Sequence, residues 1–443
     1  MTTLARTPDY FALLQSALDI SRQKNATAVE AALSIENGFN VDVHEGDVEN
    51  VEHHTSQSLT VTVYRGQRKG SASSTDFSYD SIQKIVEKAS TIAGQCAEDP
   101  FAGLADPAEL ATSFPDISAY HPWDITPAEA IQKLIACEQE AKAYSSKIAQ
   151  SESLGLSTYQ THYYYANSNG FLGHEKGTNH TVQCSLIAKE KGQMMRDGEY
   201  TTHRNSQHLQ SFSELAHTSA DKAVKRLGAR KLKTQQCAVL FEASVARSLI
   251  RHFLSAISGS NLYQKSSFLF DKLHQPIFPS WVSIHQDPFI PEALGSTTFD
   301  YEGVRTRKLD FVKEGVLNSY MLDSYSARKL YMKTTGNAGG AWNVMVKPSV
   351  AKDTHLLKQL QQGLWITELF GQGVNLVTGD YSRGAFGFWV ENGEIQYPVN
   401  EITIAGLLPA MFQQILAIGA DQDFRSSVIT GSILVDNLTV GGL

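Results

Sequence analysis

Residues 29–43 read VEAALSIENGFNVDV, and this stretch decides the fold of the first half of the chain. Apolar side chains alternate with polar ones on both sides of its centre, at Val29, Ala31, Leu33 and Ile35 and again at Phe39, Val41 and Val43. A period of two is typical of a strand with one buried face. The dipeptide Asn37-Gly38 between the two runs supplies the positive φ angles of a tight turn. We therefore predict a β-hairpin that turns at Asn37-Gly38.

Similar patterns extend outward from this stretch. Leu59, Val61 and Val63 predict a third strand, and residues 157–165 and 172–188 predict two more with a turn at 167–170. Helices are predicted at residues 82–92, after the capping box that starts at Thr126, and near residues 214–227 before Gly228. We interpret residues 1–230 as an N-terminal α/β domain that combines an antiparallel strand meander with helices.

The second half of the chain is richer in strands and glycine turns. A short buried strand at residues 237–241 and a helix at 243–257 precede strands predicted at 364–370, 374–378, 384–391, 394–397 and 432–440. Asn392-Gly393 is a second hairpin signal. We interpret residues 231–443 as a β-rich, barrel-like domain, which makes the whole chain α+β.

Composition excludes several classes of protein. The 443 residues are 42% hydrophobic and carry a formal net charge of −8, so a sizeable core is expected and a basic nucleic-acid footprint is absent. The cluster from Lys225 to Lys233 is interpreted as a solvated hinge. No signal-peptide core, membrane-length apolar run or CxxC motif occurs. We expect a cytoplasmic protein with free, mostly buried thiols and no nucleic-acid or membrane partner.

A search for zinc-peptidase chemistry finds no complete ligand set. Such enzymes need two histidines on one helical face and a glutamate as general base. His44-Glu45 and His174-Glu175 both lack a second histidine and lie beside glycines, so we expect exposed turn histidines. His53-His54 and the pair His203 and His208 have no shared helical register and are not expected to be ligands. Nucleophile-elbow and phosphate-loop motifs are also absent.

Five segments of the second half, taken together and in order, carry a family resemblance. They are residues 299–306 (FDYEGVRT), 324–330 (SYSARKL), 335–340 (TGNAGG), 367–374 (TELFGQGV) and 378–399 (TGDYSRG running into FWVENGEIQYPV). They resemble the TldE/PmbA branch of the TldD/PmbA family, whose members are also called modulators of DNA gyrase. A weaker resemblance, in the strand meander and the turn at 167–170, extends it over nearly the whole chain.

This resemblance implies a two-domain subunit of a cytoplasmic heterodimer that cleaves unfolded or short peptides. The TldD-type partner carries HExxxH on a helix and a late cysteine, so zinc is expected in the partner and no cofactor in this chain. The equivalent positions here are Arg251, His252 and Ala256, and no cysteine follows Cys237. A cationic arginine at a ligand position would repel a divalent metal. The resemblance therefore implies no catalytic and no metal-binding residue in this chain.

Asp380, Tyr381 and Arg383 are the remaining candidates. We expect them in a glycine-flanked turn that lines a peptide channel or the partner interface, with a purely structural turn as the alternative. Two other functions stay open at this stage. The chain could be a metalloprotease in its own right, or a non-proteolytic binding modulator of gyrase or antitoxin proteins.

Overall fold

A six-stranded antiparallel sheet forms the first half of the chain in the computed structural model, which describes residues 9–351 and 355–442. Two three-stranded meanders join side by side through their first strands, β1 and β4, in the order β3-β2-β1-β4-β5-β6. The predicted antiparallel meander is thereby confirmed. The strands are β1 Ala28–His44, β2 Asp47–Arg65, β3 Arg68–Ser74, β4 Ile148–Asn167, β5 Leu172–Glu190 and β6 Gln193–His203.

The predicted hairpin at Asn37-Gly38 is wrong, because β1 runs straight through this dipeptide. Gly38 pairs with His54 on one side and with Tyr159 on the other. A Cβ atom at Gly38 would lie 2.1 Å from the carbonyl oxygen of Thr158, so the glycine permits a close strand approach. The turn occurs instead at Glu45-Gly46, where both residues have positive φ angles.

Two pairs of helices cover one face of this sheet. The buried residues of β1 on either side of Asn37 belong to two separate hydrophobic clusters, one under each pair of helices. Asn37 is exposed at the gap between them. Both capping boxes, at Thr126 and Ser211, form as side-chain and backbone hydrogen bonds. The helices are α1 Tyr10–Gln23 and α2 Tyr79–Gln95 in one pair, and α3 Pro127–Ala143 and α4 Phe212–Lys225 in the other.

The second half of the chain contains a closed β-barrel, which confirms the barrel-like interpretation and the α+β class. Its strands follow the order β14-β13-β12-β7-β17, and pairing between β14 and β17 closes the ring. A further strand, β15, extends the sheet beside β17. The strands are β7 Gln235–Phe241, β12 Gly363–Phe370, β13 Asp380–Glu391, β14 Glu394–Leu407, β15 Ile415–Ile418 and β17 Ile433–Gly441.

A small five-stranded sheet and five helices complete this half among the described residues. The long helix α5 packs with the small sheet and the barrel in one large hydrophobic core. The strand predicted at residues 374–378 is a loop with one isolated bridge. The remaining elements are α5 Ala243–Ala256, α6 Gly259–Tyr263, β8 Ile284–Gln286, β9 Leu309–Lys313, β10 Val316–Leu317, α7 Ser324–Lys329, β11 Val344–Val346, α8 Leu356–Leu360, β16 Val428–Ile429 and α9 Leu408–Gln413.

An ion pair from Arg226 to Glu368 links the two halves at the segment interpreted as a solvated hinge. The side chain of Arg226 is only 7% exposed and lies 2.5 Å from both Asp197 and Glu368. Its guanidinium also stacks 4.0 Å from the ring of Phe386. The solvated interpretation is therefore wrong for Arg226, because a buried arginine with two carboxylates is a structural anchor.

Candidate functional site

Helix α5 carries the three positions that the family resemblance places at a zinc motif. Arg251 is exposed and donates to the hydroxyl oxygen of Ser426 at 3.0 Å. Ala256 is completely buried in the core. His252 is half-buried and points to the opening strand residues of β13. The three side chains therefore project to different surroundings and do not converge on a common point.

His252 meets two of the predicted β13 residues. The ring of Tyr381 lies 6.0 Å from the imidazole, edge to face at 73°, and Tyr381 is 2% exposed. Arg383 lies two residues further along β13, hence on the same face of the strand, and its Nε donates to the carbonyl oxygen of Phe370 at 3.0 Å. We call His252, Tyr381 and Arg383 the His252 cluster.

Two polar atoms of this cluster, His252 Nε2 and the Tyr381 hydroxyl, are buried without protein partners. Among the described residues, none forms a hydrogen bond with His252 Nε2 or with the Tyr381 hydroxyl. Burial and, less strongly, the charge of Arg383 lower the pKa of His252 to about 4. Burial also raises the pKa of Tyr381. A neutral imidazole and a neutral phenol with free hydrogen-bonding capacity can bind a polar group, because unpaired buried polar atoms are costly.

Asp380 does not join the cluster. The expected glycine-flanked turn is wrong, since Asp380, Tyr381 and Arg383 are the opening residues of strand β13, and Asp380 pairs with Leu407. Its carboxylate faces solvent and accepts from the Thr378 hydroxyl at 2.5 Å. Exposed apolar side chains lie around this end of the barrel: Phe370 (41%), Val377 (56%) and Leu407 (43%). We call these three residues the β13 patch.

The surroundings of α5 do not fit a catalytic zinc ion. Such a site needs three protein ligands, whereas the motif positions offer one imidazole, one guanidinium and one methyl group. The nearby Arg383 lowers the pKa of His252 and would oppose a dication. The cysteines lie on other elements: Cys137 is buried on α3, Cys184 is buried on β5, Cys237 is partly buried on β7 and Cys96 is exposed after α2. All four cysteines are free, as predicted.

Two expectations about histidines change in the folded chain. His174 is not an exposed turn residue; it lies on β5, half-buried, and stacks 4.0 Å from the Tyr164 ring. His203 and His208 share no helix, yet their ring centroids lie 4.9 Å apart, and one nitrogen of each ring lies within 4.8 Å of a carboxylate oxygen of Glu292. The sequence gives no signal for this contact, because Glu292 belongs to a distant loop of the second half.

A cavity of about 630 Å³ lies between the two halves, at the N-terminal end of α5. Its floor includes Glu242, whose pKa is raised by burial, although Lys222 acts in the opposite direction. Aromatic side chains of the barrel form another wall, at Trp365, Phe388 and Tyr397.

Comparison with known proteins identifies the family. Family models of PmbA/TldA metallopeptidases match domain 1 at residues 29–93, the central domain at 120–227 and the C-terminal domain at 234–442. The chain is 42% identical to Metalloprotease PmbA of Escherichia coli O157:H7, over 97% of this chain and 95% of that protein. It is also 42% identical to the PmbA homologue of Haemophilus influenzae, over 96% and 94% of the two chains.

Solved structures share the fold at lower identity. A proposed modulator of DNA gyrase from Bacteroides thetaiotaomicron superposes with a TM-score of 0.93 at 23% identity, over 99% of this chain and 100% of that one. TldE from Thermococcus kodakarensis gives 0.86 at 17% identity, over 97% and 100%. The meander sheet followed by a closed barrel is thus a fold that this chain shares with both solved structures. The chain belongs to the PmbA/TldD family of metallopeptidases.

None of the described helices combines the length and apolar character needed to cross a bilayer.

Proposed function

We propose that this chain is a TldE-type subunit of a cytoplasmic TldD–TldE zinc metallopeptidase, which degrades or processes unfolded and short peptides. In this proposal the zinc and the general base belong to the TldD-type partner. This chain shapes the peptide channel and supports the partner's active site. The observation that carries the proposal is the composition of α5, where Arg251, His252 and Ala256 cannot assemble a catalytic zinc site.

The His252 cluster and the β13 patch support a role in binding. Burying the exposed side chains of Phe370, Val377 and Leu407 against a partner would remove apolar surface from water, a favourable change. Stable interfaces bury about 1,600 Å² in total, so the patch would be the centre of a larger contact. Because the barrel is closed, few strand edges are free to pair with a strand of the partner. We therefore propose that the partner is contacted through side chains.

A metalloprotease in its own right is the main alternative, and the names of the PmbA relatives favour it. A catalytic zinc ion would then have to use residues outside α5. A non-proteolytic modulator is the third candidate, favoured by the description of the Bacteroides structure. The three functions differ in the partner that each requires.

Co-purification with a homologue that carries HExxxH tests the proposal. The untagged chain and the tagged homologue are co-expressed and passed over a size-exclusion column, and a single complex is expected. Replacing Phe370 and Leu407 with Asp should abolish co-elution. The matched control is Tyr79→Asp, an exposed aromatic residue (62%) on the N-terminal half, which should assemble normally.

Two results would contradict the proposal. One is elution of both proteins as separate species in every condition. The other is recovery of gyrase subunits in place of the HExxxH homologue. If the complex forms but the Asp variants assemble like the native chain, the subunit assignment stands and the β13 patch is not the interface.

A further inference from the structure

A group of three metal-ligand side chains lies in the seam between the two halves, far along the chain from α5. One ring nitrogen of His203, one of His208 and one carboxylate oxygen of Glu292 all lie within 4.8 Å of one another. His208 Nδ1 is 2.8 Å from Glu292 Oε2. His121 Nε2 approaches the other oxygen of the same carboxylate at 3.4 Å.

The backbone holds Glu292 in position before any ion binds. Glu292 has a φ of +59°, a left-handed conformation that is costly for a glutamate. Its N–H donates to the carbonyl oxygen of Ile117 at 2.9 Å. The guanidinium of Arg204 fixes the following loop by donating to the carbonyl oxygens of Ala293 at 2.9 Å and Leu294 at 3.0 Å. This strained, anchored loop keeps the carboxylate beside the two rings.

The donor set matches a transition-metal ion better than a hard cation. Two imidazoles and a carboxylate are typical ligands of Zn²⁺, whereas Ca²⁺ and Mg²⁺ prefer oxygen ligands alone. Zinc bonds of about 2.0–2.1 Å require donor atoms about 3.3 Å apart. The longest separation in the group, at most 4.8 Å, must therefore shorten by up to roughly 1.5 Å, while the 2.8 Å between His208 Nδ1 and Glu292 Oε2 must widen slightly. His208 can supply this movement, because its side chain is 55% exposed and follows a short turn.

One surrounding hydrogen bond also suits a metal centre. The Asn205 side chain donates to Glu292 Oε1 at 3.4 Å, which helps to orient the carboxylate. His203 Nδ1 accepts from the Asn205 N–H at 3.0 Å. A metal-bound imidazole keeps its proton on the nitrogen away from the metal, so this hydrogen bond has to break when the ion binds.

We propose that His203, His208 and Glu292 form a zinc-binding site that joins the N-terminal sheet to the C-terminal half. A zinc ion at this site would hold the two halves of the chain together. The site is separate from the positions on α5 that the family resemblance places at a zinc motif. This proposal departs from the sequence-based expectation that the chain has no metal-binding residue. It does not depend on the proposed subunit function.

Titration of metal-free, untagged protein with ZnCl₂ in a calorimeter tests this site. The native chain should bind one zinc ion and melt at a higher temperature with zinc than without. His208→Ala and Glu292→Gln should each weaken binding by about tenfold or more and remove the zinc-dependent rise in melting temperature. His208 is exposed, so its replacement should leave the melting temperature of the metal-free protein unchanged.

Two controls make the result specific. The double variant His217→Ala/Glu140→Gln removes another exposed histidine–glutamate pair, 3.1 Å apart, and should bind zinc normally. The variant His252→Ala should also bind zinc normally. The proposal is overturned if the native chain shows no saturable zinc binding. It is equally overturned if His208→Ala and Glu292→Gln bind like the native chain, or if only His252→Ala loses the ion.

Discussion

Removing the hydroxyl group of Tyr381 should stabilise the free chain slightly while impairing the complex. Tyr381 is 2% exposed and its hydroxyl has no hydrogen-bond partner among the described residues. An unpaired buried polar group costs about 1–3 kcal/mol, so Tyr381→Phe should leave the free energy of unfolding unchanged or raise it by about 1 kcal/mol. Tyr381→Ala should lower it by about 3–5 kcal/mol, because the ring fills the core.

Tyr165 provides a matched control for this experiment. It is also 2% exposed, but its hydroxyl donates to Glu30 at 2.7 Å. Tyr165→Phe should therefore lose about 1.5–3 kcal/mol, the value of a hydrogen bond to a charged group. Urea unfolding followed by tryptophan fluorescence compares the variants, and peptide cleavage by the assembled complex is measured in parallel. If Tyr381→Phe lowers the free energy of unfolding by more than about 1 kcal/mol, the Tyr381 hydroxyl is not unpaired in the folded chain. If the complex with Tyr381→Phe is fully active, the Tyr381 hydroxyl makes no contribution to the peptide channel.

Three further predictions concern the His252 cluster and the sheet. Asp380→Ala/Arg383→Ala should change the free energy of unfolding by less than about 1 kcal/mol yet weaken co-elution with the partner, as size-exclusion chromatography would show. Burial lowers the pKa of His252 to about 4, so between pH 6.5 and 4 the unfolded chain accepts a proton that the folded chain resists, and stability falls as the pH decreases. His252→Gln should therefore make the melting temperature fall less steeply over this pH range. An unchanged pH profile would contradict the burial of a neutral His252. Gly38→Ala should lower the free energy of unfolding by about 1–3 kcal/mol, because its Cβ would meet the Thr158 carbonyl oxygen at 2.1 Å, and a normal urea midpoint would disprove the close approach.

Local sequence signals predicted most of the fold. The dipeptide Asn-Gly, however, forms a turn at one position and lies within a strand at another. Asn392-Gly393 forms the predicted turn, with φ angles of +53° and +74°. Asn37-Gly38 has the same chemistry, yet it lies within β1, where neighbouring strands pair on both sides. Tertiary pairing overrides turn propensity there. The alternation of apolar residues keeps one parity from Val29 to Val43, which is the signature of a continuous strand.

The candidate site was predictable in its parts and not in its assembly. Family resemblance singled out His252 and Tyr381 separately, but only the folded chain brings α5 and β13 into contact. Arg251 is exposed and Ala256 is buried in the core, so neither takes part in this contact. The group of His203, His208 and Glu292 was missed, because no sequence period links residues on a strand, a turn and a remote loop. The domain boundary near residue 230 stays a prediction.

Cleavage of one unfolded peptide by three preparations decides whether this chain is a non-catalytic subunit. The preparations are this chain alone, the HExxxH-containing partner alone, and the two mixed in equal amounts. We expect the mixture to cleave the peptide in a chelator-sensitive reaction, while this chain alone releases no product even with added zinc. Chelator-sensitive cleavage by this chain alone would establish it as a metalloprotease in its own right.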